Sequence, residues 1–184
     1  MREKVMLGAL EVVKQKGVKF TMDDVARNLG MSKKTIYVVF RDKKELLMAM
    51  IDYLFDRIKD SENEIINDDS LSLEEKIRGI LGVIPDGYKE LNFSQVYSLK
   101  SRYPEIYELA QKRIESDWGM TFDLLKKGVE EGILRDVDFG IFKLAFEASV
   151  ERLFMTDEIE EMGIDYFEAL EKLVNIMIDG ILAR

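Results

Sequence analysis

The sequence predicts an all-α chain of about nine helices, with a three-helix, helix-turn-helix unit at the N-terminal end and a larger helical body behind it. Three observations predict this class. Apolar residues recur at helical spacing almost throughout, no run of alternating β-branched residues bounded by turn signals interrupts them, and the 184 residues hold only two prolines, Pro85 and Pro104. A hydrophobic fraction of 47%, with 10 Phe, 7 Tyr and 1 Trp, belongs to a chain that folds around a core.

The elements follow in order from their start and stop signals. Residues 2–16 place Val5, Ala9, Val12 and Val13 on one face of a first helix, and Gly17 ends it. Thr21 is an N-cap, with Asp24 three residues on favouring the same start, and the short helix over about 22–29 is closed by Gly30. Ser32 caps the next short helix, which runs through Phe40. Arg41-Asp42-Lys43 breaks the chain again before a long helix over about 43–62. Asn67-Asp68-Asp69-Ser70 forms a linker, and further helices are expected near 72–84, 87–100, 104–131, 137–156 and 163–183, with Gly128 and Gly132 able to shorten the one over 104–131. The division expected is a helix-turn-helix domain over 1–47 and a helical body over 48–184.

Composition narrows the chemistry. Without cysteine there is no disulfide framework, thiolate nucleophile or cysteine metal site, and without histidine the Ser-His-Asp and Cys-His arrangements and histidine-ligated zinc are gone. No spacing of carboxylates, lysines or tyrosines singles out a catalytic set, so no enzyme, cofactor or metal is expected. No stretch approaches the roughly 20 apolar residues of a membrane span, and the opening Met-Arg-Glu-Lys lacks the apolar core of a signal peptide, which leads to the expectation of a cytoplasmic chain with no membrane partner.

The net charge of −9 divides unevenly. Residues 1–47 carry 11 Lys+Arg against 6 Asp+Glu, a balance of +5, whereas the rest carry 16 against 30, a balance of −14. Chance clustering of surface charge would account for this, but so would a polyanion met at the N-terminal end by a chain whose body repels it.

The turn Gly30-Met31-Ser32 between two short helices is the sequence form of a helix-turn-helix. Val25, Leu29, Ile36 and Phe40 supply a small shared core, and Ala26 permits a close crossing. Lys33, Lys34, Thr35 and Tyr37 are thereby left on the outer, N-terminal side of the second helix, where lysines reach phosphate or guanine and a threonine reaches a base edge or thymine methyl. A capped basic helix without a nucleic-acid role would have the same pattern.

From Val5 to Leu47 the chain resembles the DNA-binding region of TetR-type transcriptional regulators. Gly-Ala-Leu-Glu-Val-Val-Lys-Gln-Lys-Gly at 8–17 and Phe-Thr-Met-Asp-Asp-Val-Ala at 20–26 follow that family's first two helices. Leu-Gly-Met-Ser-Lys-Lys-Thr-Ile-Tyr-Val-Val-Phe at 29–40 and Asp-Lys-Lys-Glu-Leu-Leu at 42–47 follow its turn, recognition helix and next helix start. The resemblance implies DNA contacts from Thr21, Ser32, Lys33, Lys34, Thr35 and Tyr37, with Lys43 clamping a phosphate. Lys34 stands where the family often has a small residue, and Val39 where it often has His or Tyr. It also implies a homodimer on an inverted-repeat operator, a small-molecule effector held by the body, and repression as the default outcome.

Behind residue 48 the resemblance rests on length and helical rhythm. The last two helices are apolar on more than one face, and Phe146, Val150, Phe154, Val174 and Ile178 are the expected dimer contacts, a central place in a monomer core being the other use of such residues. Tyr88, Phe93, Tyr97, Trp118 and Phe122 are the expected walls of an apolar effector cavity, ordinary core packing being the alternative. Two competing functions remain: a helical carrier or enzyme for an apolar small molecule, which would not bind duplex DNA, and a constitutive DNA binder, whose body would be solidly packed.

Overall fold

The computed structural model describes residues 1–89, 100–116, 118–154 and 158–183, without the side chains of Asp86, Phe154 and Glu160. The first three helices are α1 (Arg2–Lys16), α2 (Met22–Asn28) and α3 (Lys33–Val39). Val5, Ala9, Val25, Ile36 and Phe40 are almost fully buried where these helices meet. Gly8 is needed at the crossing, because a Cβ there would lie 2.5 Å from Leu29 Cδ2. The start of α2 is a complete capping box: the Asp24 amide donates to Thr21 Oγ1 at 3.2 Å while the Thr21 amide donates to Asp24 Oδ2 at 2.9 Å.

One long helix, α4 (Lys43–Ile66), begins in this unit and continues into the body through position 47. It extends one turn further than expected, where Ile65 and Ile66 pack against the core. The body adds α5 (Leu73–Gly82), α6 (Pro104–Glu115), α7 (Gly119–Glu130), α8 (Phe139–Phe154) and α9 (Tyr166–Ile181), with a single helical turn at Glu158–Glu161. Helix α4 packs on α5 and α6, α5 on α7 and α9, and α8 on α6 and α9. Arg135 N donates to Ile181 O and Ala183 N to Ile133 O, each at 2.8 Å, tying the end of α9 to the α7–α8 connection. The all-α class is as expected, and no strand occurs among the described residues.

The helix expected over 104–131 is instead two helices. At Ser116 the backbone turns extended (φ −93, ψ 164) and its hydroxyl donates to Arg113 O at 3.0 Å, closing α6 with a polar side chain that competes with the helical ladder. Gly132, in the left-handed region at φ 72, marks the far end of α7. Most of the helix expected over 87–100 lies outside the described residues, as do Phe93 and Tyr97.

Asp24 combines two tasks: it closes the capping box and accepts from Lys16 Nζ at 2.5 Å. The Lys16 hydrogen bond, followed by those from the Thr21 backbone and hydroxyl, holds its carboxyl well below the usual carboxylate range. A depressed folded-state value stabilises the fold above the unfolded one, about 3.9, and that contribution is lost as pH falls through the folded value. Asp24→Asn is therefore expected to melt below the wild type near neutral pH, with the gap closing on acidification. Thermal midpoints of both proteins measured across this range check it.

Candidate functional site

The outer face of α3 is a compact set of exposed side chains. Gly30, at φ 61, reverses the chain, and Met31 N donates back to Ala26 O at 2.9 Å. Ser32 Oγ then accepts the Thr35 amide at 3.1 Å and lies 2.8 Å from Thr35 Oγ1, so the Thr35 hydroxyl is tied to the cap and half-buried. Lys33, Lys34 and Tyr37 point to solvent. Lys33 Nζ pairs with Asp23 at 2.7 Å, and this hydrogen bond raises its pKa above the ordinary lysine value. Lys34 has no ion-pair or hydrogen-bond partner among the described residues. Thr21 and Ser32, both exposed, hold helix ends with their side chains.

Val38 is a member of this face that sequence reasoning missed. It is 79% exposed, an unusual place for a β-branched apolar residue on a seven-residue helix. Its spacing from Lys34 and Tyr37 was the available signal, since 34, 37 and 38 share a helical face.

Lys43 is turned away from the position expected for a phosphate clamp. Its ammonium donates to the carbonyls of Val18 at 2.6 Å and Phe20 at 2.5 Å, and it stands 4.3 Å from the centre of the Phe20 ring. Burial, and next the charge of Arg102, lower its pKa. The residue joins the start of α4 to the α1–α2 connection, around the fully buried Phe20.

Beneath the N-terminal unit lies a partly open cavity of ≈ 240 Å³. Its lining reaches from Leu10 and Val18 in the N-terminal unit, along α4, to Trp118, Phe146 and Tyr166. Of the expected wall residues, Tyr88 and Trp118 line it; Phe122 does not. The Phe122 ring supports Trp118 from outside the lining, with centroids 5.7 Å apart, and stacks on Phe139 at 6.5 Å. Two residues expected at a dimer contact, Phe146 and Val150, line the cavity instead.

Residues 5–50 match the family model of bacterial regulatory proteins of the tetR family. The whole chain aligns, at 26% identity over 183 residues, with 96% of the uncharacterized HTH-type transcriptional regulator YvaF of Bacillus subtilis (strain 168). The N-terminal unit is thus similar to the DNA-binding region of tetR-family bacterial regulatory proteins. The fold of the chain is that of solved TetR-type structures. A TetR transcription regulator from Haloarcula marismortui ATCC 43049 superposes with a TM-score of 0.75 at 19% identity, covering 98% of this chain and 97% of that one. A transcriptional regulator from Saccharomonospora viridis, solved in complex with choline, gives 0.75 at 18% identity, covering 100% and 98%.

In this fold the remaining expected dimer residues face inward. Val174 is 3% and Ile178 0% exposed, both packed in the core, while the Phe154 side chain lies outside the described residues. The surfaces left open are the opposite faces: Ile141, Leu144, Ala145 and Ala148 on α8, and Ile176 on α9. Both helices are apolar on two faces, and the own-core face is the one that carries the larger residues Phe142 and Phe146 on α8. No helix among the described residues is long and apolar enough to cross a membrane.

Replacing Lys43 by Ala removes two charge-assisted hydrogen bonds within the fold, each worth about 1.5–3 kcal/mol when fully formed and less at this partly exposed site. The expected outcome is a loss of roughly 1–3 kcal/mol in unfolding free energy without any DNA present, read by denaturant titration. A residue whose only work is to hold phosphate would leave that value unchanged.

Proposed function

We propose that the protein is a repressor that binds an inverted-repeat operator as a homodimer and is released from it by a small apolar or amphipathic molecule held in the cavity. The observation that carries this reading is the continuity of the cavity with the reading unit. Leu10 and Val18 lie at one end of the lining and Trp118 and Phe146 at the other, with Leu47, Met50 and Leu54 of α4 between. A molecule seated there would press on α4 along the stretch that follows the Lys43 clamp.

DNA contact is assigned to the exposed face of α3. Lys34 is available for phosphate or guanine, Tyr37 for phosphate, and Val38 for a thymine methyl. Lys33 joins them by exchanging Asp23, a weak exposed pair, for a phosphate oxygen. Thr35, tied to Ser32, adds only as much base reading as that geometry leaves free. Lys43 acts by holding α4 in place, and Thr21 and Ser32 by presenting helix N-termini to the backbone.

The dimer is assigned to the open apolar faces of α8 and α9, since Ile141, Leu144 and Ile176 are 63%, 62% and 71% exposed. A four-helix interface between two copies would cover them. Helix α6 offers a second connection to α4: Glu105 accepts from Lys44 at 2.5 Å and Arg113 pairs with Asp56 at 2.6 Å. Since α6 also lines the cavity through Tyr107 and Gln111, a ligand that shifts α6 would shift α4 with it.

Selection of bound duplexes from a random pool tests the reading, and an inverted repeat bound more weakly as salt rises is the expected product. Ile176→Glu is expected to give a folded monomer with weakened operator binding, whereas Ile178→Glu should unfold the chain. Sedimentation and circular dichroism separate the two outcomes. No preference for any duplex over random DNA would overturn the regulator reading, and a wild type that sediments as a monomer at micromolar concentration would overturn the dimer.

A further inference from the structure

We propose that the cavity selects a small organic cation, an alkyl- or arylammonium whose charge lies against Glu147 and Glu151 on α8 and whose apolar body meets the aromatic wall at Trp118. This rests on the reading of the cavity as the effector site and names the class of ligand. The lining contains four carboxylates, Glu62, Glu115, Glu147 and Glu151, against two cations, Lys59 and Arg113. Both cations are already engaged: Lys59 with Glu62 at 2.8 Å, Arg113 with Asp56 at 2.6 Å and Asp52 at 3.6 Å. An anionic ligand would therefore have to break an ion pair to find a counter-charge.

The glutamates of α8 stand differently. Glu151 Oε1 accepts from two neutral donors, the Tyr107 hydroxyl at 2.5 Å and Gln111 Nε2 at 3.5 Å. Glu147 Oε1 is buried and accepts no hydrogen bond among the described residues. Lys143 Nζ approaches it at 3.5 Å from outside the lining and also donates to Glu115 O at 3.2 Å. Four residues apart, the two carboxylates lie on one face of α8, one turn from each other. The charge of a buried carboxylate whose nearest counter-charge is an ammonium at 3.5 Å is only partly balanced, and a ligand cation would add to that balance where a neutral or anionic group would not.

The wall beside them favours the same class. Trp118 packs edge-on against Phe146, with ring centroids 5.6 Å apart at 79°, and the Lys143 ammonium lies 5.9 Å from the Trp118 ring. Beside the lining, one cation thus already lies at the junction of an indole and a carboxylate, the combination that recognises alkylammonium groups. A volume of ≈ 240 Å³ lies under the usual ~300–1,000 Å³ of drug-sized pockets, which limits the ligand to about a single ring or a short chain beside its charged group.

Three probes of similar size and different charge test this on the full-length protein: phenyltrimethylammonium, its neutral isostere tert-butylbenzene, and 3-phenylpropanoate. Binding is read by calorimetry and by fluorescence of Trp118, the single tryptophan. The cation is expected to bind about tenfold or more tightly than either other probe. Glu147→Gln and Glu151→Gln should each lower its affinity several-fold while leaving tert-butylbenzene binding unchanged, which also shows that the variants are folded. Equal or tighter binding of the neutral or anionic probe, or unchanged cation affinity in both variants, would overturn the proposal. Operator release measured on the same samples separates the two readings. A neutral or anionic probe that releases DNA would remove the cation class and leave the effector cavity standing. Silence of all three in both assays would count against both.

Discussion

The ammonium of Lys43 between the carbonyls of Val18 and Phe20 decides where α4 begins, and α4 is the element that both parts of the chain share. Asp42 caps the same turn by accepting the Glu45 amide at 2.8 Å, and Glu45 in turn accepts the Arg41 amide at 2.9 Å. Arg2 reaches from α1 to Glu45 at 3.2 Å and lies 4.2 Å over the Phe40 ring. The first turn of α4 is thus tied to α1, to the α1–α2 connection and to the end of α3. In the proposed function a displacement of α4 would be carried to α3, because these ties are short and surround the buried rings of Phe20 and Phe40.

The N-terminal unit was legible because its boundaries are set by local chemistry. Thr21, Ser32 and Asp42 each accept an amide three residues on, and Gly17 and Gly30 take the positive φ that ends a helix. Where a boundary depends on a polar side chain without a glycine, as at Ser116, the pattern continued through it and one helix was expected where two exist. The extra turn of α4 has a different cause: Ile65 and Ile66, beyond the expected end, pack against the core and carry the helix on.

Site residues were legible in proportion to how locally they act. The exposed set on α3 followed from the cap and the helical period, and Val38 was lost only because an apolar residue is assigned inward by default. Lys43 was placed by resemblance alone, and its partners lie 23 and 25 residues away, beyond any local pattern. On α8 and α9 the period identifies two apolar faces and leaves open which one meets the chain's own core. Phe146, Val150, Val174 and Ile178 belong to the inner one. The glutamates of the cavity were unreadable for a related reason: Glu147 and Glu151 carry no sequence mark that separates them from the many acidic residues facing solvent.

The division of charge acquires a structural sense from these positions. The excess of basic residues belongs to the unit that carries Lys33 and Lys34, and the acidic excess to the body behind it. An acidic body lowers non-specific attraction of the whole chain to a polyanion, so that in the proposed function DNA affinity would depend on the small set of groups on α3 and on their spacing. The proposed coupling between cavity and operator is then small in energy. A tenfold change in affinity corresponds to about 1.4 kcal/mol. Surface pairs such as Lys44–Glu105 and Arg113–Asp56 are individually weak. Rearrangement of a few such contacts between α6 and α4 would suffice for a change of that size without unfolding any helix, and the half-buried Lys43 clamp could remain intact while the body moves behind it.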